Sequence, residues 1–94
     1  MQNNAEAAAG LLKSLANSSR LMVLCALVSR EHTVGELEQL TGLSQSAISQ
    51  HMARLREAGI VSTRRDAQRI FYSLDNAEVR AVLETLHGVY CAES

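Results

Sequence analysis

The feature that most constrains this chain is a change of hydrophobic period in its second half. The stretch LSQSAISQHMARLREAG, residues 43–59, spaces apolar side chains three and four positions apart, which predicts a helix stopped by Gly59. Two β-branched and aromatic runs follow, IVSTRR and RIFYSL, and the DAQ between them indicates a hairpin turn. A helix that leads directly into a two-stranded ribbon restricts the fold, because both must pack on a core supplied by the rest of the chain.

Helical patterns fill the sequence before this point, and no proline interrupts them. Residues 5–16 predict an alanine-rich helix, and residues 20–29 predict a second helix that follows the possible capping residues Asn17 and Ser18. One side of the first helix carries Leu11, Leu12 and Leu15, and the buried face of the second carries Leu21, Leu24, Cys25 and Val28.

Three further caps divide the remaining chain. Thr33 and Glu36 have the spacing of a capping box, which opens a third helix that ends at Gly42 and turns Leu37 and Leu40 to the core. Ser44 caps the fourth helix. Asp75 or Asn76 caps the last one, whose apolar stripe is Val79, Val82, Leu83, Leu86 and Val89.

The resulting order is four helices, a hairpin and a fifth helix. A helix, a glycine-containing turn, a second helix and a ribbon together predict a winged helix-turn-helix, mostly α, as one domain over residues 1–94. The composition, 47% apolar and 20% charged, is that of a globular protein. A domain of this size buries a modest fraction of its surface, so dimerisation would add stability.

The sequence also indicates a compartment. We find no apolar run long enough to cross a membrane and no secretion signal, so we expect a cytoplasmic protein. Thiols in that compartment are normally reduced, and two cysteines there suggest packing, metal binding or redox chemistry before a structural disulfide. The chain shows no catalytic triad and no phosphate-binding loop, and a thiol oxidoreductase would need two cysteines close in sequence, such as Cys-x-x-Cys. We therefore do not expect an enzyme.

Charge is distributed unevenly. Residues 44–72 carry five arginines and two acidic side chains, a local charge of +3 in a chain whose net charge is −1. This pattern fits a protein that meets a polyanion through one face, although a chance cluster on a solvated surface would look the same.

The fourth helix supplies a face suited to double-stranded DNA. On a helical wheel, Ile48, Met52 and Leu55 share one side with Ala47, His51 and Ala58, which turns an uncharged polar surface outward. Gln pairs with adenine in a major groove, Ser serves several bases, and a helix N-terminus offers N–H groups to phosphate. Arginines near the hairpin tip would reach flanking phosphates or the minor groove. The candidate DNA-binding residues are Ser44, Gln45, Ser46, Ser49, Gln50, His51, Arg54, Arg64, Arg65, Gln68 and Arg69.

Two of these assignments have alternatives. A Ser and Gln face is also an ordinary polar surface, and a winged-helix module that binds another protein would carry one. His51 lies on the buried side of the wheel, where it is either a packed, hydrogen-bonded structural residue or a phosphate contact at the helix edge.

The residues quoted above resemble the ArsR/SmtB family of bacterial winged-helix repressors over nearly the whole chain. The most specific match is SQSAISQHMARLREAGIV followed by RRDAQRIFYSL. The resemblance implies a homodimer joined mainly through the first and last helices, a partly palindromic operator, and an inducer that releases the DNA.

The family's familiar metal sites are missing. One type of site uses a Cys-x-Cys motif in the third helix, where this chain has GELEQL and no cysteine. The other type uses Asp and His residues along the last helix, where this chain has Asp75 and His87 but Ala77 at the position of a histidine ligand. We therefore expect no metal ligands and no cofactor, although a repressor that answers a metal or another ligand remains the alternative.

Two cysteines match a narrower group, similar to BigR, SqrR and HlyU, that is associated with sensing persulfides and other thiol oxidants. Its members carry one cysteine in LC of the second helix and one in YC at the end of the last, which are Cys25 and Cys91 here. The resemblance implies that these two are the redox sensor and that a reactive sulfur species or another thiol oxidant is the inducer. Considered alone, Cys25 is also an ordinary small core residue.

Overall fold

The computed structural model describes residues 2–90 and has the layout that the sequence predicts, a winged helix-turn-helix. Five helices surround a small antiparallel sheet. In chain order the elements are α1 Gln2–Leu15, α2 Ser18–Ser29, β1 His32–Thr33, α3 Val34–Thr41, α4 Gln45–Glu57, β2 Val61–Asp66, β3 Arg69–Leu74 and α5 Ala77–Tyr90.

The core lies where α2, α3, α4 and α5 meet the inner end of the β2–β3 hairpin. Each element contributes one to three apolar side chains, spaced as its period requires. The most completely buried of them are Val23, Leu24, Leu27, Leu37, Ile48, Met52, Leu55, Ile60, Val79 and Leu83. Cys25 packs against this core with part of its surface still exposed, as its helical phase predicts.

Several side chains of the predicted apolar helix faces lie outside the core. Leu40 is 60% exposed although it lies only about 60° around the helix axis from the buried Leu37, in the last turn of α3, which ends at Thr41. Leu12 and Val89 are exposed on the outer helices, and Ala58 is exposed where α4 ends. The apolar spacing therefore extends along these helices further than the neighbouring elements that cover it.

The predicted helix caps are present. The side chain of Asn17 accepts the Arg20 N–H, and that of Ser44 accepts the Ala47 N–H. Thr33 and Glu36 form the full capping box, with each side chain accepting the other residue's backbone N–H. Gly42 closes α3 in the left-handed region at φ 75°, where other residues are strained.

The sheet differs from the sequence expectation in two ways. A short strand, β1, was missed, and it pairs with β3, so the strand order is β1-β3-β2. The hairpin turn is also tighter than the predicted DAQ, because Asp66 pairs with Arg69 and leaves Ala67 and Gln68 as the two turn residues. Ala67 has φ 58°, the positive φ that the favoured two-residue hairpin turns use at their first turn position.

A buried histidine connects the start of β1 to its surroundings. His32 is 3% exposed, and its Nε2 lies 3.1 Å from the carbonyl of Ala26, so this nitrogen carries the hydrogen of the bond. Its Nδ1 lies 3.4 Å from the Glu36 carboxylate. The end of α2 is thereby joined to β1, the strand that leads into α3.

Within residues 2–90, no single helix is long and apolar enough to cross a bilayer. The segments Asn4–Leu15 and Ser18–Ser29 reach that length and apolar character only together, and a 93° bend separates them.

Replacing Thr33 by Ala should lower the free energy of unfolding by about 1 kcal/mol, because the Glu36 N–H loses its acceptor at the helix start. Urea unfolding at one fixed protein concentration measures the change. Thr85→Ala is the matched control, since the Thr85 hydroxyl only bonds back to Ala81 within α5. A Thr33→Ala effect no larger than that of the control would contradict the role of the cap.

Candidate nucleic-acid interface

The outer face of α4 is the exposed polar surface that the sequence predicts. Ile48, Met52 and Leu55 are buried at 0–1% exposure on the inner side of this helix. Because these three hold the helix in one rotation about its axis, the opposite side chains must face solvent. The exposed candidates on α4 and its cap are Ser44, Gln45, Ser46, Ser49, Gln50 and Arg54.

The start of α4 combines these side chains with backbone donors. Ser44 uses its hydroxyl to accept the Ala47 N–H. The amides of the first turn, those of Gln45 and Ser46, belong to positions that have no carbonyl partner within a helix. The positive end of the helix dipole lies at the same place, so an anion is favoured there.

His51 lies at the edge of α4, half-buried between helices. Its Nδ1 accepts a hydrogen bond from the Arg20 Nε at 3.4 Å, and Arg20 also donates to the Ser14 carbonyl. Burial and, secondly, the positive charges of Arg20 and Arg54 hold the pKa of His51 below its ordinary value of 6.5. The hydrogen bond from Arg20 is the kind of contact that the structural alternative for His51 predicts. A phosphate contact by His51 stays a prediction.

The wing, residues 61–74, carries the remaining candidates on exposed positions. Arg65 donates from Nε to the Ala67 carbonyl at 3.0 Å, which folds its side chain along the turn. Gln68 occupies the turn itself. Arg64 is bound by the carboxylate of Glu31, and Arg69 lies 4.0 Å from the carboxylate of Glu36.

Glu31 and Glu36 are the part of this surface that the sequence interpretation missed. They lie some thirty residues before the wing in the chain, and only the pairing of β1 with β3 brings them beside its arginines. The +3 charge of residues 44–72 is consequently offset in part by neighbours from another segment.

The helix and the wing meet at one groove. A surface cavity of about 400 Å³ is lined by Gln45 from the start of α4, by Gln68, Arg69 and Ile70 from the wing, and by residues 33–35. The structure therefore brings part of the predicted set together, with Gln45 facing the same space as the tip of the wing.

Cys25 lies on a different side of the molecule, between α2 and the end of α5. It lines two neighbouring surface cavities of about 740 and 430 Å³, and His87 lines both of them. Tyr90 forms part of the smaller cavity. Cys91, the other predicted sensor residue, lies outside the described residues. Within residues 2–90, no three His, Cys, Asp or Glu side chains are grouped to hold a metal ion.

We expect the His51 ring to titrate below pH 6.5 in an NMR titration of the folded protein. Because the folded pKa is the lowered one, the unfolded chain takes up this proton first. The His51 contribution should therefore reduce stability as the pH falls through 6.5, and have no effect above it.

Replacing Arg20 by Gln should raise the His51 midpoint, since one of the two nearby positive charges is removed. Arg30→Gln is the matched control, because Arg30 is not among the groups that shift His51. A His51 midpoint at or above 6.5 in the native chain, or equal shifts in the two variants, would contradict the buried, Arg20-bonded geometry.

Comparison with known proteins agrees with this geometry. The family described as "Bacterial regulatory protein, arsR family" matches residues 17–63. The chain is 50% identical over 91 residues to the transcriptional activator HlyU of Vibrio cholerae, covering 97% of this chain and 84% of that protein. It is 44% identical to the biofilm growth-associated repressor of Xylella fastidiosa, covering 99% of this chain and 82% of that protein.

Solved structures show the same likeness. Reduced HlyU from Vibrio cholerae superposes with a TM-score of 0.93 at 50% identity, covering 97% of this chain and 96% of that one. The repressor BigR from Xylella fastidiosa superposes with a TM-score of 0.88 at 44% identity, covering 97% of this chain and 93% of that one. These relatives are regulators of transcription by name. The chain belongs to the ArsR family of bacterial regulatory proteins, and it is a winged-helix DNA-binding regulator of transcription and not an enzyme.

Proposed function

We propose that this regulator is a homodimeric repressor whose operator complex is released when a thiol oxidant links Cys25 to Cys91. The observation that carries the proposal for DNA is the exposed Ser and Gln face of α4, held outward by a buried stripe and adjoining the wing. The relatives include a protein named as an activator and one named as a repressor, so the direction of control is part of the proposal.

Base recognition would use the first two turns of α4. Gln50 and Gln45 each offer an amide that pairs with adenine in two hydrogen bonds, and Ser46 and Ser49 donate or accept at several base edges. The amides at the helix start would hold a phosphate and fix the depth of entry. The wing would contact the flanking backbone, where Arg65 supplies positive charge.

Dimerisation is supported by the apolar side chains left exposed near the ends of the chain. Leu12 on α1 and Val89 and Tyr90 on α5 are 53–80% exposed, a costly arrangement for a monomer in water. A two-fold dimer would present two copies of α4 to half-sites about one helical turn of DNA apart, which matches a partly palindromic operator.

The sensor proposal rests on where Cys25 lies. Its side chain borders a groove that runs to Tyr90, the residue before Cys91. Each extra sulfur lengthens a bridge by up to about 2 Å, so a polysulfide joins two cysteines too far apart for a disulfide. This offers a physical route to choosing persulfides over peroxide.

The chemistry of a trisulfide link balances with two persulfide molecules. One transfers its outer sulfur to a cysteine thiolate and leaves as a thiol. The second accepts the two electrons released when the new cysteine persulfide joins the other thiol, and it leaves as a thiol and hydrogen sulfide.

Gln50→Ala should weaken binding to an operator selected from random duplexes by about 1–3 kcal/mol, and should change non-specific binding little. Gln39→Ala, a matched exposed glutamine on α3, should bind nearly as the native chain does. Arg65→Ala should weaken binding to all DNA sequences alike, and it should reduce the slope of log affinity against log salt concentration by about 1. Fluorescence anisotropy over a salt series measures both effects. Native-like binding by Gln50→Ala and Arg65→Ala would refute the assigned DNA face, and failure of the native chain to bind any duplex would favour a module that binds no DNA.

Treatment with an organic persulfide should release the native chain from operator DNA, and mass spectrometry should show a gain that links the peptides of Cys25 and Cys91. Neither Cys25→Ser nor Cys91→Ser should respond, because either change removes one end of the bridge. An intact response in Cys91→Ser would refute the sensor proposal, and release by zinc or arsenite instead would support the alternative inducers.

A further inference from the structure

Three side chains connect the wing to the segment that precedes α3. They are Glu31 before β1, Arg64 on β2 and Phe71 on β3, and we refer to them as the wing clamp. Arg64 donates from Nε to both carboxylate oxygens of Glu31, at 3.0 and 2.8 Å, and from its terminal nitrogen to one of them. The same guanidinium lies over the Phe71 ring, 4.4 Å from its centroid.

The sheet explains why these residues meet. Phe71 is on the central strand, where it is the register partner of Arg64 on one side and of Thr33 on the other. Arg64 reaches across the ring of its central partner to an acid on the far edge of the sheet. The clamp therefore reaches from β2 across β3 to the residue before β1, and it fixes the wing to the chain segment that leads into the helix-turn-helix.

The clamp has more geometric definition than a usual surface ion pair. Isolated exposed ion pairs contribute little to the free energy of unfolding. A guanidinium that forms two parallel hydrogen bonds with a carboxylate and stacks on an aromatic ring is held in one orientation, which a lysine side chain does not reproduce. The hydrogen bonds from Arg64 hold the pKa of Glu31 below its ordinary value, so this carboxyl stays ionised at neutral pH.

The clamp also divides the wing arginines by their partners. Arg64 is bound by Glu31, and Arg69 lies over the same Phe71 ring, 4.9 Å from its centroid, with Glu36 nearby. Arg65 donates to a backbone carbonyl, not to a carboxylate, at the turn. Within residues 2–90, its charge is therefore the one among these three that no ion pair offsets.

We propose that Arg64 is a positioning residue, which with Glu31 and Phe71 sets the angle of the wing so that Arg65 and Gln68 reach flanking DNA. It does not itself neutralise a phosphate. This inference rests on the proposed DNA-binding function, and it departs from the expectation that Arg64 is a DNA contact.

The two roles of Arg64 predict opposite effects of Glu31→Gln. If Arg64 were a phosphate contact, removing a nearby negative charge and releasing the arginine would tighten DNA binding. If Arg64 positions the wing, the loosened wing should weaken binding by about tenfold, on the order of one lost charge-assisted contact. Glu57→Gln is the matched control for the loss of one acidic charge outside the clamp, and it should not weaken binding.

A second duplex separates positioning from general damage. On an operator trimmed to the base pairs beneath the two α4 helices the wing has nothing to contact, so native chain and Glu31→Gln should bind it equally. Arg64→Lys keeps the charge but loses the fork and the stacking, so on the full operator it should be weakened as Glu31→Gln is.

Each outcome decides the matter. Binding by Glu31→Gln that equals or exceeds that of the native chain, equal weakening on both duplexes, or native-like binding by Arg64→Lys would each overturn the positioning role alone. If the native chain binds neither the full nor the trimmed operator, the proposed function is overturned, and this inference with it.

Discussion

The burial of one stripe of α4 is the constraint on which the rest of the structure depends. Ile48, Met52 and Leu55 are buried in the one apolar core to which α2, α3, α5 and the base of the hairpin also contribute, and truncating each of them would cost several kcal/mol. Since a helix held by one face has one rotation, the same burial fixes the outward direction of Ser46, Ser49 and Gln50. The stability of the core and the orientation of the candidate DNA face are therefore two results of one packing arrangement.

The helix α2 connects this arrangement to the proposed thiol sensor. It contacts α3, α5 and β3, and Arg80 on α5 donates to the Val28 carbonyl in its last turn. Cys25 lies on this helix, on the side that faces the end of α5. A covalent link there would act on the element that supports both the helix-turn-helix and a helix of the proposed dimer interface. A change of operator occupancy from mostly bound to mostly free requires several kcal/mol of differential affinity, which the link would have to supply through this contact.

Charge on the wing is governed by residues distant in sequence. Glu31 and Glu36 belong to the entry of α3, yet they lie beside Arg64 and Arg69 because β1 pairs with the central strand. The wing is therefore less positive than its own sequence suggests, and its orientation is tied to the segment that starts the helix-turn-helix. Counting arginines in a hairpin overestimates the charge available to DNA when a third strand brings acids to it.

The sequence alone determined the five helices, their caps, the hairpin and the polar face of α4, because these depend on local period and on side chains three or four residues apart. It did not determine β1, since two residues have no period. It assigned Leu40 to the core although no element covers it, and it did not show that Glu31 binds Arg64 or that Arg20 donates to His51. These features were decided only by the tertiary structure, because contacts between residues some thirty positions apart depend on how elements pack and leave no local pattern in the chain.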